Sequence, residues 1–266
     1  MQEFKFDQEA YLRRINYKKE VNVTIEFLKD IHYSQLFTIP FENFDICLNR
    51  TIELAPHKLF DKLVHKNRGG YCFELNGLFL MALQSFGFDA RAILGRVHTT
   101  GKPTGRGHQL SLITSEGNKW IADVGFGGDT PRRPIPLAFN QPTTHYGQTI
   151  RLIEDEYYGI MLQLKKDSIW TNMYSFDLDY VCPGDIEYGN HYTSTSPNSF
   201  FTIARVAALP IQDGVITLLN NKLKKTLGGE KIEIQLEENQ QYIESLETNF
   251  GIKLDASYED LITFTD

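Results

Sequence analysis

Apolar residues in the first third of the chain recur at helical spacing. Asp7 is placed to cap a short amphipathic turn carrying Tyr11, Leu12 and Ile15. Asn22 or Thr24 opens a second helix, in which Leu28, Ile31, Gln35 and Leu36 make a mostly apolar face. A third begins at Pro56, a residue suited to a first helical turn, and runs through Leu59, Phe60, Leu63 and Val64. It stops at Arg68-Gly69-Gly70. The stretch from Cys72 to Phe86 is apolar nearly all round, the pattern of a buried central helix.

Beyond Gly87 the period changes. Runs at 90–97, 109–114 and 120–124 are short and β-branched or alternating, and Ser115-Glu116-Gly117-Asn118 joins the last two tightly. Further strands are predicted at 149–154, 159–164 and 170–176, and Pro131, Pro134 and Pro136 mark a loop before them. This regular spacing predicts an antiparallel barrel or sandwich. From Phe200 the pattern mixes: strand-like FTIARVAAL, strands at 214–218 and 231–236, then a helix from about Asn239 to Phe250. The order is helices, then strands, then a small α+β portion.

Composition narrows the chemistry. The 266 residues are 41% hydrophobic and 23% charged, an ordinary globular balance that excludes disordered, collagenous and coiled-coil chains. Lys and Arg number 27 against 34 Asp and Glu, a formal charge of −7, so neither nucleic acid nor an anionic membrane is an expected partner. Three cysteines (Cys47, Cys72 and Cys182) without a CxxC argue against a disulfide framework and against a thiolate zinc site. No metal is expected. The first residues lack an apolar signal-like core and no 18-residue apolar run occurs, so a soluble, cytoplasmic protein is expected.

Cys72 stands out because it follows Arg68-Gly69-Gly70-Tyr71 and opens the buried helix. Two glycines permit a sharp turn, and a helix N-terminus favours a thiolate. The competing reading is that a cysteine is often just a small buried hydrophobe. A nucleophilic thiol wants a base, and the base an orienting carboxylate. His32, His57 and His65 fall in the helical third on faces read as exposed; His98, His145 and His191 fall in or beside polar loops. His108 differs, because it starts an apolar strand directly after a Gly-Arg-Gly loop. The connection at 115–118 makes paired residue numbers sum to roughly 233, which sets Asp123 nearly opposite Leu110 and within reach of His108. Cys47 and Cys182 are read as inert, since neither lies beside a histidine or a predicted helix start. Arg132 and Arg133 are read as solvated residues of a Pro-rich loop that alternatively meet phosphates. Phe37, Phe41, Phe44 and Phe126 are either core or an aromatic acceptor pocket.

Three segments, RGGYCFELN with Cys72, GHQLSLI with His108 and IADVGFGG with Asp123, closely resemble the catalytic blocks of the arylamine N-acetyltransferases. EAYLRRI, IPFENFDI, YSFDLDYV, GNHYTSTSPNSFF and DGVITL continue the likeness in order along almost the whole chain. The resemblance implies an α+β fold in three domains: a helical bundle over 1–86 carrying the nucleophile, an antiparallel β-barrel over 87–190 and an α/β lid over 191–266. It implies a Cys72, His108 and Asp123 triad and ping-pong acetyl transfer from acetyl-coenzyme A, a co-substrate, to an arylamine, arylhydrazine or N-hydroxyarylamine. Thr104, Gly105, Gly127 and Gly128 are the implied coenzyme contacts. Phe37 and Phe126 are candidates for the acceptor ring, and Arg68 is expected to pair with Glu42 as support. The alternative is a cysteine hydrolase or amide synthase, transglutaminase-like or macrolactam-forming, using the same triad. A third reading is a binding protein on a degenerate scaffold.

Overall fold

The structure, a computed structural model, describes residues 4–99 and 101–262, so the outermost residues of the expected first and third domains lie outside the described residues. Helix α1 spans Gln8–Arg14, and the Asp7 side chain caps it by accepting from the Ala10 amide at 2.9 Å. Helix α2 spans Ile25–Leu36, and Thr24, not Asn22, is its cap. A short helix α3 covers Phe44–Cys47. The segment opened by Pro56 is an α-helical turn, α4 (Pro56–Phe60), continued as a π-helical turn over Asp61–His65. Helix α5, Cys72–Phe86, ends at Gly87 with φ +97°. It is the axis of the first core, where Leu75, Leu78, Phe79 and Leu83 pack with Leu28, Ile31 and Leu63.

Strand β1 is only Phe41–Glu42. Strands β2 (Asp89–Val97), β3 (His108–Ser115) and β4 (Asn118–Ala122) follow α5, and β5 is Ile135–Pro136. Then come β6 (Thr143–His145), β7 (Gln148–Asp155), β8 (Gly159–Lys166) and β9 (Ile169–Phe176). These eight, β2 to β9, form one antiparallel sheet in the order β5-β4-β3-β2-β9-β8-β7-β6. The expected barrel thus takes the form of an eight-stranded sheet whose end strands, β5 and β6, do not pair with each other among the described residues. Its apolar face buries Ile93, Leu110, Leu162 and Tyr174. β3 and β4 pair with Ser111 opposite Ala122, the register predicted from the connection. Glu116 (φ +51°) and Gly117 (φ +73°) are both left-handed, as a two-residue type I′ turn requires.

Helix α6, Pro183–Thr195, was not anticipated, and it crosses the division expected at 190/191. Its sequence contains two glycines and several Ser and Thr residues and has no apolar stripe, so neither propensity nor periodicity reveals it. The FTIARVAAL segment is also corrected: it begins as a 3₁₀ turn over Phe200–Thr202, and β10 starts only at Val206, running to Ile211. β11 (Gly214–Leu219), β12 (Lys222–Leu227) and β13 (Glu230–Gln235) complete a second antiparallel sheet, ordered β1-β10-β11-β12-β13. Helix α7 (Gln240–Phe250) supplies Tyr242, Leu246 and Phe250 to a third core shared with Phe44, Cys47, Leu218 and Leu223.

Candidate active site

Cys72 is the first residue of α5 and is buried. The turn before it is pressed against the β1 segment: a Cβ on Gly69 would overlap the Pro40 carbonyl oxygen, so only glycine fits there. The helix start is closed by Glu74, whose Oε2 accepts from the Tyr71 amide at 3.1 Å. The Cys72 thiol lies 3.7 Å from the Gly107 carbonyl, immediately before His108.

His108 begins β3 and Asp123 lies one residue past the end of β4, so the hairpin register brings them near each other. Both are buried, and His108 Nε2 is 2.7 Å from Asp123 Oδ2. That contact leaves Nδ1 as the ring nitrogen for Cys72. Burial opposes the charged ring, but the Asp123 charge and hydrogen bond outweigh it, and Cys72 adds its own hydrogen bond and charge; the pKa of His108 rises to about 10. Burial acts to raise the Asp123 carboxyl, yet His108, Asn76 and the Gly125 amide bring it below its ordinary value. Asp123 Oδ1 accepts from Asn76 Nδ2 at 2.9 Å and from the Gly125 amide at 2.8 Å. Gly125 is close-packed on α5, since a Cβ there would sit 2.8 Å from Asn76 Nδ2 and 3.1 Å from Cys72 Cα.

Arg68 and Glu42 are brought together as expected from the resemblance. Arg68 Nε donates to Glu42 Oε1 at 2.9 Å and Nη2 to Glu42 Oε2 at 3.1 Å, a two-pronged contact between buried side chains. The pair belongs to a larger network that the sequence did not disclose. Arg68 Nη2 also meets Asp45 at 3.1 Å, and Lys62 bridges Asp45 (2.6 Å) to Glu74 (2.7 Å). Burial acts against the charge on Arg68 and Lys62, but the surrounding carboxylates raise both above their ordinary values. Lys62 reaches in from the π-helical turn. The network therefore ties β1, α3 and that turn to the start of α5.

The other candidates are placed as follows. Thr104 and Gly105 are exposed on the loop before β3, and Thr104 Oγ1 accepts from the Val97 amide while donating to the Gly105 carbonyl. Gly127 and Gly128 form a 3₁₀ turn after Asp123, and Gly128 lies against β11, where a Cβ would be 3.1 Å from Thr217. Arg132 is not solvated: it is buried and donates to the Gly128 and Thr130 carbonyls, bracing that turn. Arg133 lies over the Tyr146 ring. Phe126 is half-buried and packs against His108 and Tyr174, with ring centroids 5.0 and 4.9 Å away. Phe37 stacks on Tyr33 at 4.2 Å and touches Tyr146, away from Cys72, His108 and Asp123. Phe41 and Phe44 are core.

Two further readings are corrected. His32 is not exposed: it is fully buried, and its Nε2 lies 2.8 Å from the Asp123 carbonyl oxygen. Cys182 does precede a helix, α6, and is exposed. Helix α6 also covers the site, with Tyr71 hydroxyl bonded to Asn190 and Gly189 packed on Phe73. Among the described residues no group of three or more His, Cys, Asp or Glu is placed to hold a metal ion, and no helix is long and apolar enough to cross a membrane.

The N-acetyltransferase family model matches residues 24–258. The chain is 39% identical over 214 residues to the arylamine N-acetyltransferase of Escherichia coli, covering 79% of this chain and 75% of that one. It is 36% identical to the arylamine N-acetyltransferase / N-hydroxyarylamine O-acetyltransferase of Salmonella typhimurium, covering 91% and 88%. The solved Salmonella typhimurium arylamine N-acetyltransferase superimposes with TM-score 0.89 at 32% identity, covering 94% of this chain and 92% of that one. The Mycobacterium marinum arylamine N-acetyltransferase in complex with CoA does so with TM-score 0.87 at 31% identity, covering 92% and 93%. The chain belongs to the arylamine N-acetyltransferase family and is a transferase.

Proposed function

We propose that the protein acetylates arylamines, arylhydrazines or N-hydroxyarylamines from acetyl-coenzyme A by a ping-pong route through acetyl-Cys72. The observation that carries this reading is the linkage Cys72–His108–Asp123, with the 2.7 Å contact between buried His108 and Asp123 beside the thiol. His108 takes the thiol proton, and the Cys72 sulfur attacks the thioester carbonyl. The C–S bond of the donor breaks, and the coenzyme leaves as a thiol with that proton. The amine nitrogen then attacks acetyl-Cys72, gives a proton to His108, and the C–S bond to Cys72 breaks as the thiol is restored. Part of what raises the His108 pKa is the hydrogen bond and charge of Cys72. Acetylation removes both, so the ring becomes easier to deprotonate in the half-reaction where it must act as base.

Phe126, packed on His108, is suited to hold the acceptor ring beside the reacting atoms. Phe37 has Tyr33, Tyr146 and Arg132 as its neighbours and would meet the acceptor ring farther from the thiol. Coenzyme A is assigned to the side of Gly105, Gly127 and Gly128, where backbone amides approach an anion without side-chain hindrance; Thr104 shapes that loop. Three apolar cores support a three-part organisation over about 1–86, 87–190 and 191–266; α6 runs across the last of these divisions, and its Ile186 packs against the first core. The family relationship favours transfer over hydrolysis. Intact-mass measurement after mixing with acetyl-coenzyme A tests the reading. One acetyl adduct mapped to Cys72 and lost on adding an arylamine is expected; absence of the adduct, or its loss to water alone at the same rate, overturns it.

A further inference from the structure

β4 ends at Ala122, so the peptide between Asp123 and Val124 lies outside the sheet ladder although it carries the carboxylate that faces His108. Both of its polar ends are instead held by side chains from helices. The Val124 amide donates to Asn76 Oδ1 on α5 at 3.0 Å. The Asp123 carbonyl, which can only accept, lies 2.8 Å from His32 Nε2 on α2, so the proton of the neutral imidazole must sit on Nε2. His32 Nδ1 is buried and has no hydrogen-bonding partner among the described residues. The ring is fixed edge-on against Phe79 at 5.8 Å.

We propose that His32 is a positioning residue for acyl transfer, its Nε2–H clamping the Asp123 main chain from the side opposite Asn76 and so aiming the Asp123 carboxylate at His108. This rests on the triad reading above. The device needs a neutral ring that keeps its one donor, and burial lowers the pKa of His32 to about 4, although the Asp123 carbonyl and charge act the other way; the nearby cations Arg133 and Arg132 lower it further. His32 therefore holds the same tautomer throughout the neutral range, while the titrating member of the site is His108.

The test compares His32→Gln, whose amide nitrogen can occupy the place of Nε2, with His32→Asn, which is too short to reach the carbonyl, and with His32→Phe. Each is checked for a cooperative melt, then for the rate of Cys72 acetylation, KM for acetyl-coenzyme A, and the pH profile of that rate. The Asn and Phe variants should lose about 10- to 100-fold in rate with little change in KM, because a misaimed carboxylate affects the chemical step and not binding. Their basic limb should move to lower pH, since a displaced Asp123 supports the His108 imidazolium less. His32→Gln should restore rate and profile to within a few-fold. Equal behaviour of the Gln and Asn variants, or a folded Phe variant with wild-type rate and profile, overturns the proposal, and the Gln/Asn comparison decides it if the Phe variant does not fold. Asp123→Asn serves as the control on the triad itself: wild-type rates there would remove the triad, whereas a dead Asp123→Asn with normal His32 variants removes only His32.

Discussion

Asn76 lies one turn beyond Cys72 on α5, and its amide joins that helix to β3 and to the residue that follows β4: Nδ2 donates to Asp123 Oδ1 at 2.9 Å and to the Gln109 carbonyl at 2.7 Å. Cys72 and the Asp123 carboxylate are thereby held by one rigid element. In Asn76→Ala the Gln109 carbonyl, the Val124 amide and one Asp123 oxygen each lose a buried partner. A loss of about 2–4 kcal/mol is expected, two or more unsatisfied buried groups at ~1–3 kcal/mol each. Urea unfolding measures it. Acetylation of Cys72 should slow as well, and a variant with an unchanged midpoint would show that these contacts carry no weight.

Arg68→Lys tests the support network. Lysine keeps the charge but cannot reproduce the fork that meets both oxygens of Glu42 and also Asp45. The contact is buried, so solvent does not replace the lost hydrogen bonds, and a loss of about 1–3 kcal/mol in stability is expected. Thermal melting in parallel with Glu42→Gln checks it. Because both substitutions disrupt one pair, their effects should not add in the double variant. Strict additivity would show that the two residues act separately.

How far the site could be read from the sequence follows from what each signal depends on. The start of α5 and the pairing of His108 with Asp123 are local: a glycine turn before an apolar helix, and a hairpin whose length sets its register. The Glu42–Arg68 contact was legible only through family resemblance, because 26 residues separate the pair. His32 was misread because a helix face looks exposed until its neighbours are known, and what covers it is a turn 91 residues away. Arg132 was misread for a similar reason, since its guanidinium serves main-chain carbonyls that have no residue-type signature. β12 escaped because its lysines interrupt the alternation, only Leu223 being fully buried. In α6 the useful signal was at the boundary: Pro183 at the first turn and Asp185, which accepts from the Cys182 amide at 2.9 Å.

The three cysteines should separate by reactivity. Cys47 is fully buried, and burial pushes its thiol up to about 12, so it stays protonated and shielded. Cys182 is exposed at the start of α6 but has no histidine partner among the described residues, whereas Cys72 has the buried His108 ring within hydrogen-bonding reach. Iodoacetamide at pH 6, followed by peptide mass spectrometry, should label Cys72 fastest, Cys182 more slowly and Cys47 only after unfolding. The informative comparison is Cys72 against Cys182, because accessibility alone favours the latter. Faster labelling of Cys182 would show that pairing with His108 does not activate Cys72.

The two buried histidines should give stability opposite pH dependences on either side of neutrality. His32 has a folded pKa of about 4 against an ordinary 6.5. Below pH 6.5 the unfolded chain binds a proton that the folded one refuses, so stability falls as pH drops from 6.5 to 4. The gap corresponds to about 3 kcal/mol, at ~1.4 kcal/mol per pKa unit. His108 is shifted the other way, to about 10. Its contribution is complete below pH 6.5 and is lost as pH rises through about 10, when the ion pair with Asp123 is discharged. The Asp123 carboxyl, held below its ordinary value, adds a further loss only at pH below 3.8. Urea midpoints measured from pH 4 to 10 should therefore peak near pH 6.5. In His32→Gln the acid-side slope should flatten while the alkaline limb stays, since that substitution removes one titrating group and leaves His108 in place. Superimposable difference curves for the two proteins below pH 6.5 would mean that His32 titrates normally in the folded state, and that its ring is not held neutral against the Asp123 carbonyl.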